Sequence, residues 1–224
     1  MNRRMIFPLL LGITGVAILL SLSAWQVQRM TWKKAVIAEI EARITARPVD
    51  LPEQADPVAD RYLPVSVAGR FTGENIDVLV SRKFIGPGFR VIAVLEADNG
   101  RRVLVDRGFI PEVARGLPLE ATAVTVTGNL VWPDELDSFI PPPDEVRGIW
   151  FARDVPAMAA KLNAEALLIV ARSETGDAIE PMPVDSSAIP NDHLNYAITW
   201  FLLASVWAGM TVLLLWRIRR KVEQ

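Results

Sequence analysis

The sequence predicts an α+β membrane protein. In it, two transmembrane helices flank an extracytoplasmic domain of mostly antiparallel β-sheet, or a small barrel, with one short helix. Two uncharged apolar stretches, each about 20 residues long, lie near the ends of the 224-residue chain. Between them, apolar residues alternate with period two over five or six short segments, as in strands that bury one face. No long helical pattern separates these segments, which favours an antiparallel sheet.

The first apolar stretch runs from Met5 to Ala24 and follows two arginines. It is longer than the usual signal-peptide core of about 7–15 residues, which favours an uncleaved span at 5–25. A signal peptide cleaved after the small residues near Ala24 is the alternative. Helical periodicity continues beyond the span, so residues 26–47 are predicted as a helical extension that ends before Pro48.

The second apolar stretch, Tyr196 to Trp216, contains 21 residues without a formal charge. That is enough helix to cross a bilayer core of about 30 Å. The predicted span, 192–216, follows Pro190 and precedes a basic tail at 217–224. Basic residues outside both spans place the two termini in the cytoplasm by the positive-inside rule. The central domain, 48–188, is then extracytoplasmic.

The central domain shows the patterns of short strands joined by turns. Asn99-Gly100 is its strongest hairpin signal. Asp154 to Leu162 is predicted as one short capped helix. Residues 48–60 and 176–189 are predicted as linkers. The predicted strands are 61–71, 75–82, 89–97, 101–110, 122–132 and 165–172.

Composition excludes several classes of chemistry. Cysteine is absent and histidine occurs once, as His193. Thiol redox chemistry, iron–sulfur clusters, structural zinc and a two-histidine metal site within one chain are therefore excluded. Residues 26–195 carry 18 Lys and Arg against 25 Asp and Glu, a net charge of −7, which argues against nucleic acid or an anionic membrane surface as partner. No nucleophile elbow, phosphate loop or dinucleotide fingerprint occurs, which argues against an enzyme.

His193 lies at the predicted outer lip of the second span. On a helical wheel, Tyr196, Trp200 and Trp207 lie within about 60° of it on one side. Small residues lie on its other side and allow a second helix or a planar ligand to approach closely. Two interpretations stand: a helix-packing face with an interfacial aromatic belt, or a ligand pocket. The small residues are Ala197, Ala204, Ala208 and Thr211.

Trp25 ends the first predicted span, and the cations Arg29 and Lys33 follow it on the helical extension, with Arg29 about one turn above Trp25. Trp25 fits the interfacial aromatic belt. The two cations fit anchoring to lipid phosphates, and they also fit a clamp for the carboxylates of a ligand, which suits the fork geometry of arginine. If Trp25 and Arg29 pack opposite His193, a macrocycle has room between the two helices.

Four strings of the sequence occur in an order that resembles the surfeit locus protein one family. Their patterns are W-Q-x-x-R-x-x-W-K, Y-x-P-V-x-x-x-G-x-F, V-L-V-x-R-G-[FW]-x-P and P-N-x-H-x-x-Y-A-x-T-W-F. The resemblance spans nearly the whole chain, and Phe109 stands where many members have Trp. The strings are residues 25–33, 62–71, 103–111 and 190–201.

The resemblance implies a non-enzymatic assembly factor for an aa-type cytochrome c oxidase. Members of this kind bind haem a transiently and help it to reach the catalytic subunit, and bacterial members lie in the inner membrane with the central domain in the periplasm. The ligating histidine carries over onto His193, and Tyr196, Trp200, Trp25 and Arg29 are the predicted neighbours of the haem. A haem a synthase is a further candidate partner.

The alternative is a membrane-anchored scaffold that binds oxidase subunits or a haem a synthase and holds no haem.

If the protein does bind haem, two histidines of one monomer cannot bind the same iron, because the chain has one histidine. Met30 and Tyr196 are then the candidate sixth ligands within the chain.

Overall fold

The computed structural model describes residues 3–187 and 189–222. Residue 188 at the end of the predicted central domain and residues 223–224 of the predicted tail lie outside the described residues. The helices are α1 (Arg3–Ile44), α2 (Val155–Leu162) and α3 (His193–Val222). The strands are β1 (Val49–Asp50), β2 (Pro64–Arg82), β3 (Gly86–Ala97), β4 (Arg102–Pro111), β5 (Ala123–Val131), β6 (Ile149–Trp150) and β7 (Glu165–Ala171).

Contacts divide the chain into two units. The helical unit comprises Met1–Glu39 and Ser186–Gln224, and the sheet unit comprises Ile40–Asp185. α1 continues without a break for 42 residues, so the first predicted span and its extension form one helix. Within α1 and α3, Met5–Ile44 and His193–Arg220 are long and apolar enough to cross a membrane. Only 6% of the most apolar window of each helix is buried, so these side chains face outwards.

The sheet unit is a mixed sheet whose pairings close on themselves. β2, β3, β4, β7 and β5 pair in that order, and β5 returns to pair with β2. Four of these pairings are antiparallel, as predicted, whereas β4 and β7 run parallel. The hairpin at Asn99-Gly100 is confirmed, because the Ala97 N–H donates to the Arg101 carbonyl over 2.8 Å.

Both faces of the sheet are buried, because α2 covers the second one. Ala93 and Leu95 of β3 lie in one apolar cluster, whereas Ile92 and Val94 lie in another with Met158 of α2. Ile92 and Val94 are thus buried beneath the helix. Asp154 caps α2 as predicted, accepting from the Ala157 N–H over 3.1 Å.

Some elements differ from the sequence prediction. β2 is one strand of 19 residues, predicted as two, with a register shift between Phe71 and Asn75. β1 and β6 were not predicted. β1 lies inside the predicted linker 48–60 and pairs in parallel with β2. Each of these two strands has only two residues, too few for a periodic pattern.

The Arg-Gly-Phe segment of β4, residues 107–109, holds residues 177–180 against the sheet. The Arg107 guanidinium is fully buried, forms an ion pair with Asp177 at 2.8 Å and lies 4.2 Å from the centre of the Phe71 ring. A Cβ on Gly108 would lie 2.1 Å from the Glu180 carbonyl oxygen, so this close approach requires glycine. The predicted linker 176–189 is therefore attached to the sheet at this point.

An ionic cluster lies beside this segment. The Asp106 carboxylate, which is fully buried, pairs with Arg90 at 2.8 Å and with Arg153 at 3.2 Å. Arg153 also pairs with Glu135. Burial raises the pKa of the Asp106 carboxyl, and the two guanidinium groups oppose this shift by stabilising the carboxylate.

The end of α1 is tied to the sheet by Asn129 of β5, which is fully buried. Its side-chain amide donates to the carbonyl of Ile44 over 3.0 Å and to that of Tyr62 over 2.9 Å. The Asn129 side-chain oxygen accepts from Arg172 over 2.9 Å. This network satisfies a terminal carbonyl of α1, which the helix itself leaves unpaired.

Candidate functional site

The candidate site is centred on His193, the first residue of α3. The imidazole is half-buried, and its Nδ1 lies 2.8 Å from Oε1 of Gln26 on α1. Among residues 3–187 and 189–222, Gln26 is the only hydrogen-bond partner of the ring, so Nε2 is left without one. Since a metal-binding histidine commonly uses one ring nitrogen while the other is held by a neighbour, this arrangement suits a ligand.

Direct packing of α1 against α3 fixes this pair. One turn further along, the Ser23 hydroxyl donates to the Ala197 carbonyl over 2.9 Å. Deeper in the pair, a Cβ on Gly15 would lie 2.3 Å from Nε1 of Trp207, so glycine is required for this approach. Successive contacts advance along α3 as they retreat along α1, which makes the helices antiparallel.

The predicted small-residue flank of α3 is a helix-packing surface. Ala197 and Ala204 are 4% and 2% exposed, and Thr211 lies against Gly12 of α1. The structure therefore places the second helix, and not a planar ligand, on this flank. The space predicted between the two helices at the level of His193 is closed by the Ser23 and Gln26 contacts.

The predicted aromatic flank lies on an open side of the helix pair. At about 100° per residue, Trp25 and Arg29 lie to one side of Gln26 on α1, and Tyr196 lies to one side of His193 on α3. Because the helices are antiparallel, these two sides coincide. Trp25 and Tyr196 are 54% and 56% exposed. A flat ligand at His193 would thus lie over this open side.

Trp200 and Arg29 complete this side. Trp200 is half-buried and follows His193 by two turns of α3. The Arg29 guanidinium is exposed and stacks over the Trp32 ring at 3.9 Å, which holds its charge on the Trp25 side of α1. Lys33 is half-buried. His193, Tyr196, Trp200, Trp25 and Arg29 thus all belong to the helical unit.

One cavity of the helical unit lies away from His193. It has a volume of about 500 Å³ and lies between the start of α1 and the last turns of α3. Its nearest α3 residue, Trp207, is about 21 Å from His193 along the helix. None of the residues that line this apolar cavity lies near the imidazole, so the cavity is separate from the candidate site. Its lining includes Phe7, Leu11, Trp207, Met210, Thr211 and Arg217.

The residues at His193 fit a ligand that brings its own metal coordination. Among the described residues, no group of three or more His, Cys, Asp or Glu is arranged to hold a metal ion. A porphyrin supplies four nitrogen ligands to its iron and needs only an axial donor from the protein. A single imidazole is a donor of that kind.

Gln26 is the site residue that sequence reasoning missed. It was predicted as part of the helical extension and of the string after the first span, with no role in the site. Its role depends on which residue of α1 faces His193, and that is set by the register of two helices about 170 residues apart. The W-Q dipeptide of the family pattern was the one signal that could have indicated it.

A model of the SURF1 family matches residues 13–205, which include both Gln26 and His193. The chain is 30% identical over 213 residues to Surfeit locus protein 1 of Xenopus tropicalis, covering 83% of this chain and 68% of that protein. It is 30% identical over 211 residues to Surfeit locus protein 1 of Homo sapiens, covering 82% and 69%. It is 27% identical over 199 residues to a SURF1-like protein of Rickettsia felis, covering 84% and 87%.

Proposed function

This chain belongs to the SURF1 family, and from that premise we propose that it is a non-enzymatic assembly factor for an aa-type cytochrome c oxidase. It binds haem a transiently and aids the insertion of the haem into the catalytic subunit. The observation that carries the proposal is the imidazole of His193, whose Nδ1 is held by Gln26 at 2.8 Å and whose Nε2 has no hydrogen-bond partner among the described residues. A haem a synthase is a further partner in the proposal.

The residues around His193 have distinct roles in this function. Nε2 of His193 would hold the haem iron, and haem a supplies the iron when bound. Tyr196, Trp200 and Trp25 offer aromatic surface to the macrocycle, and Arg29 meets its propionates. α1 covers the small-residue flank of α3, so a haem has only the other flank to occupy. There the protein supplies one axial ligand, His193, and a haem held by one ligand suits a carrier that must release it.

An absorption spectrum tests the proposal directly. The full chain, purified from cells that make haem a, is expected to show a Soret band that persists through purification. A purified, folded protein without such a band would contradict haem binding and would leave the scaffold as the function.

We place the two helices across the bacterial inner membrane with both termini in the cytoplasm and the sheet unit in the periplasm. The support is the length and hydropathy of α1 and α3 and the basic residues beyond each span. A reporter that is active only in the cytoplasm is expected to work when fused after Gln224. A reporter active only in the periplasm is expected to work within residues 134–145. The reverse pattern would contradict this topology.

The second candidate function is a scaffold that binds oxidase subunits or a haem a synthase without holding haem. It is favoured by large apolar side chains exposed on loops of the sheet unit: Phe84, Val113 and Val146 are 95%, 91% and 97% exposed. We propose that the closed cycle of strands is a small barrel that presents these loops to a protein partner. One protein can have both functions. The presence or absence of a Soret band shows whether it also holds haem.

Replacing Arg29 is expected to weaken haem a binding without abolishing it. A charge-assisted bond to a propionate contributes about 1.5–3 kcal/mol, so Arg29→Ala should lower the affinity about 10–100-fold in a haem titration. Lys34→Ala is the matched control, because Lys34 is exposed on the other side of α1. If both variants bind with wild-type affinity, Arg29 is a lipid anchor instead of a clamp.

A further inference from the structure

We propose that Gln26 is a positioning residue that fixes the tautomer of His193. Its side-chain oxygen accepts a hydrogen bond from Nδ1–H, so that Nε2 keeps its lone pair. The inference rests on the proposed function in one respect, since haem iron is what Nε2 would bind. The tautomer itself is a property of the protein before any haem is present.

The assignment follows from the chemistry of the two side chains. A neutral imidazole carries one N–H and one lone-pair nitrogen, and an amide oxygen can only accept a hydrogen bond. With Oε1 of Gln26 at 2.8 Å from Nδ1 of His193, this amide orientation assigns the proton to Nδ1. The opposite amide orientation would place an N–H₂ group against Nδ1 and reverse the tautomer. The two orientations therefore make opposite predictions.

Neighbouring contacts hold Gln26 where it can act. Ser23 lies three residues before Gln26 and donates to the carbonyl of Ala197 over 2.9 Å, and Ala197 is only 4% exposed. Sliding one helix against the other would break this bond and the close approach of Trp207 to Gly15. The helix contact thus keeps the amide in register with the imidazole.

The hydrogen bond has a consequence for the other ring nitrogen. Donation of Nδ1–H to an acceptor fixes the ring orientation and raises the basicity of Nε2 as a metal ligand. Without the acceptor, the imidazole can rotate and can place its proton on Nε2, where it blocks coordination. Gln26 therefore prepares His193 for an axial ligand role.

The chain offers an unusually clean measurement, because His193 is its only histidine. Full-length protein with a histidine-free purification tag and ¹⁵N-histidine gives nitrogen signals from this one ring. Spectra are recorded in detergent without haem, at a pH where the imidazole is neutral. The variants are Gln26→Leu, which removes the acceptor, and Gln26→Glu, which keeps one. Gln28→Leu is the matched control, since Gln28 is exposed on the same helix.

In the wild type, the Gln26→Glu variant and the Gln28→Leu control, Nδ1 is expected to be protonated and Nε2 to show the shift of a lone-pair nitrogen. In Gln26→Leu the population is expected to move towards the Nε2–H tautomer. A wild-type ring that is mainly Nε2–H would overturn the inference. So would a Gln26→Leu spectrum identical to that of the wild type.

Haem binding separates this inference from the proposed function. Gln26→Leu should lower haem a affinity about 10–100-fold, the usual effect of removing a partner of a metal-binding histidine, and Gln26→Glu should restore it. A wild-type protein with the expected tautomer that binds no haem would overturn the proposed function and leave the role of Gln26 intact. Wild-type haem affinity in Gln26→Leu would overturn that role alone.

Discussion

His193→Ala is expected to abolish stable haem a binding while the protein still inserts into the membrane and folds. The chain contains no second histidine and no cysteine to replace the lost axial ligand. The rest of the helix contact remains, including the Ser23 bond to Ala197 and the packing of Trp207 on Gly15. Losing the single hydrogen bond to Gln26 should cost only about 0.5–1.5 kcal/mol. The variant should therefore be produced in normal amounts without a Soret band.

Leu194→Ala is the control for this experiment. Leu194 follows His193 on α3 and is 51% exposed, so its removal tests for general disturbance of the helix start without touching the imidazole. Haem content per protein is compared by absorption after identical purification. A His193→Ala protein with the haem content and spectrum of the wild type would show that the iron is bound elsewhere. Restoration of the band by added imidazole would further tie the loss to the missing ligand.

The local parts of the fold could be predicted from the sequence. Alternation along the strands depends only on which residues face a buried side, and Val65 and Val67, two positions apart in β2, are both buried. The turn at Asn99-Gly100 and the cap at Asp154 likewise depend on residues within four positions of each other. These features need no knowledge of distant chain segments.

The parts that could not be predicted depend on distant partners. The parallel pairing of β4 with β7 joins Leu104 to Leu168, and no local pattern indicates it. Arg107 was noted only within a family string, and its partner Asp177 lies in a segment predicted as a linker. The candidate site divides in the same way. His193 was evident from its uniqueness and its place before an apolar run, whereas Gln26 depends on helix register.

Asp106→Ala is expected to destabilise the sheet unit more than any other single charge removal in this cluster. The side chain of Asp106 is fully buried between Arg90 and Arg153, whose side chains are 14% and 15% exposed. Its removal leaves Arg90 with the Met182 carbonyl at 3.1 Å as a remaining partner. Stranding a buried cation costs about 3–5 kcal/mol, which for a unit of this size lowers Tm by about 6–20 °C.

The expected loss is measured by thermal unfolding of the full chain in detergent, with Glu74→Gln as the control. Glu74 pairs with Arg102 at 2.6 Å, but its side chain is 51% exposed, and such a solvated pair contributes little to stability. Asp106→Asn keeps the volume of the side chain and removes its charge. If stranded cations cause the instability, Asn should reproduce most of the effect of Ala. If Asn unfolds at the wild-type temperature, lost packing is the cause. Replacing a whole buried ion network can be neutral, but Asp106→Ala removes one partner and leaves the others. A protein with this change that is no less stable than Glu74→Gln would therefore show that the cluster does not stabilise the sheet.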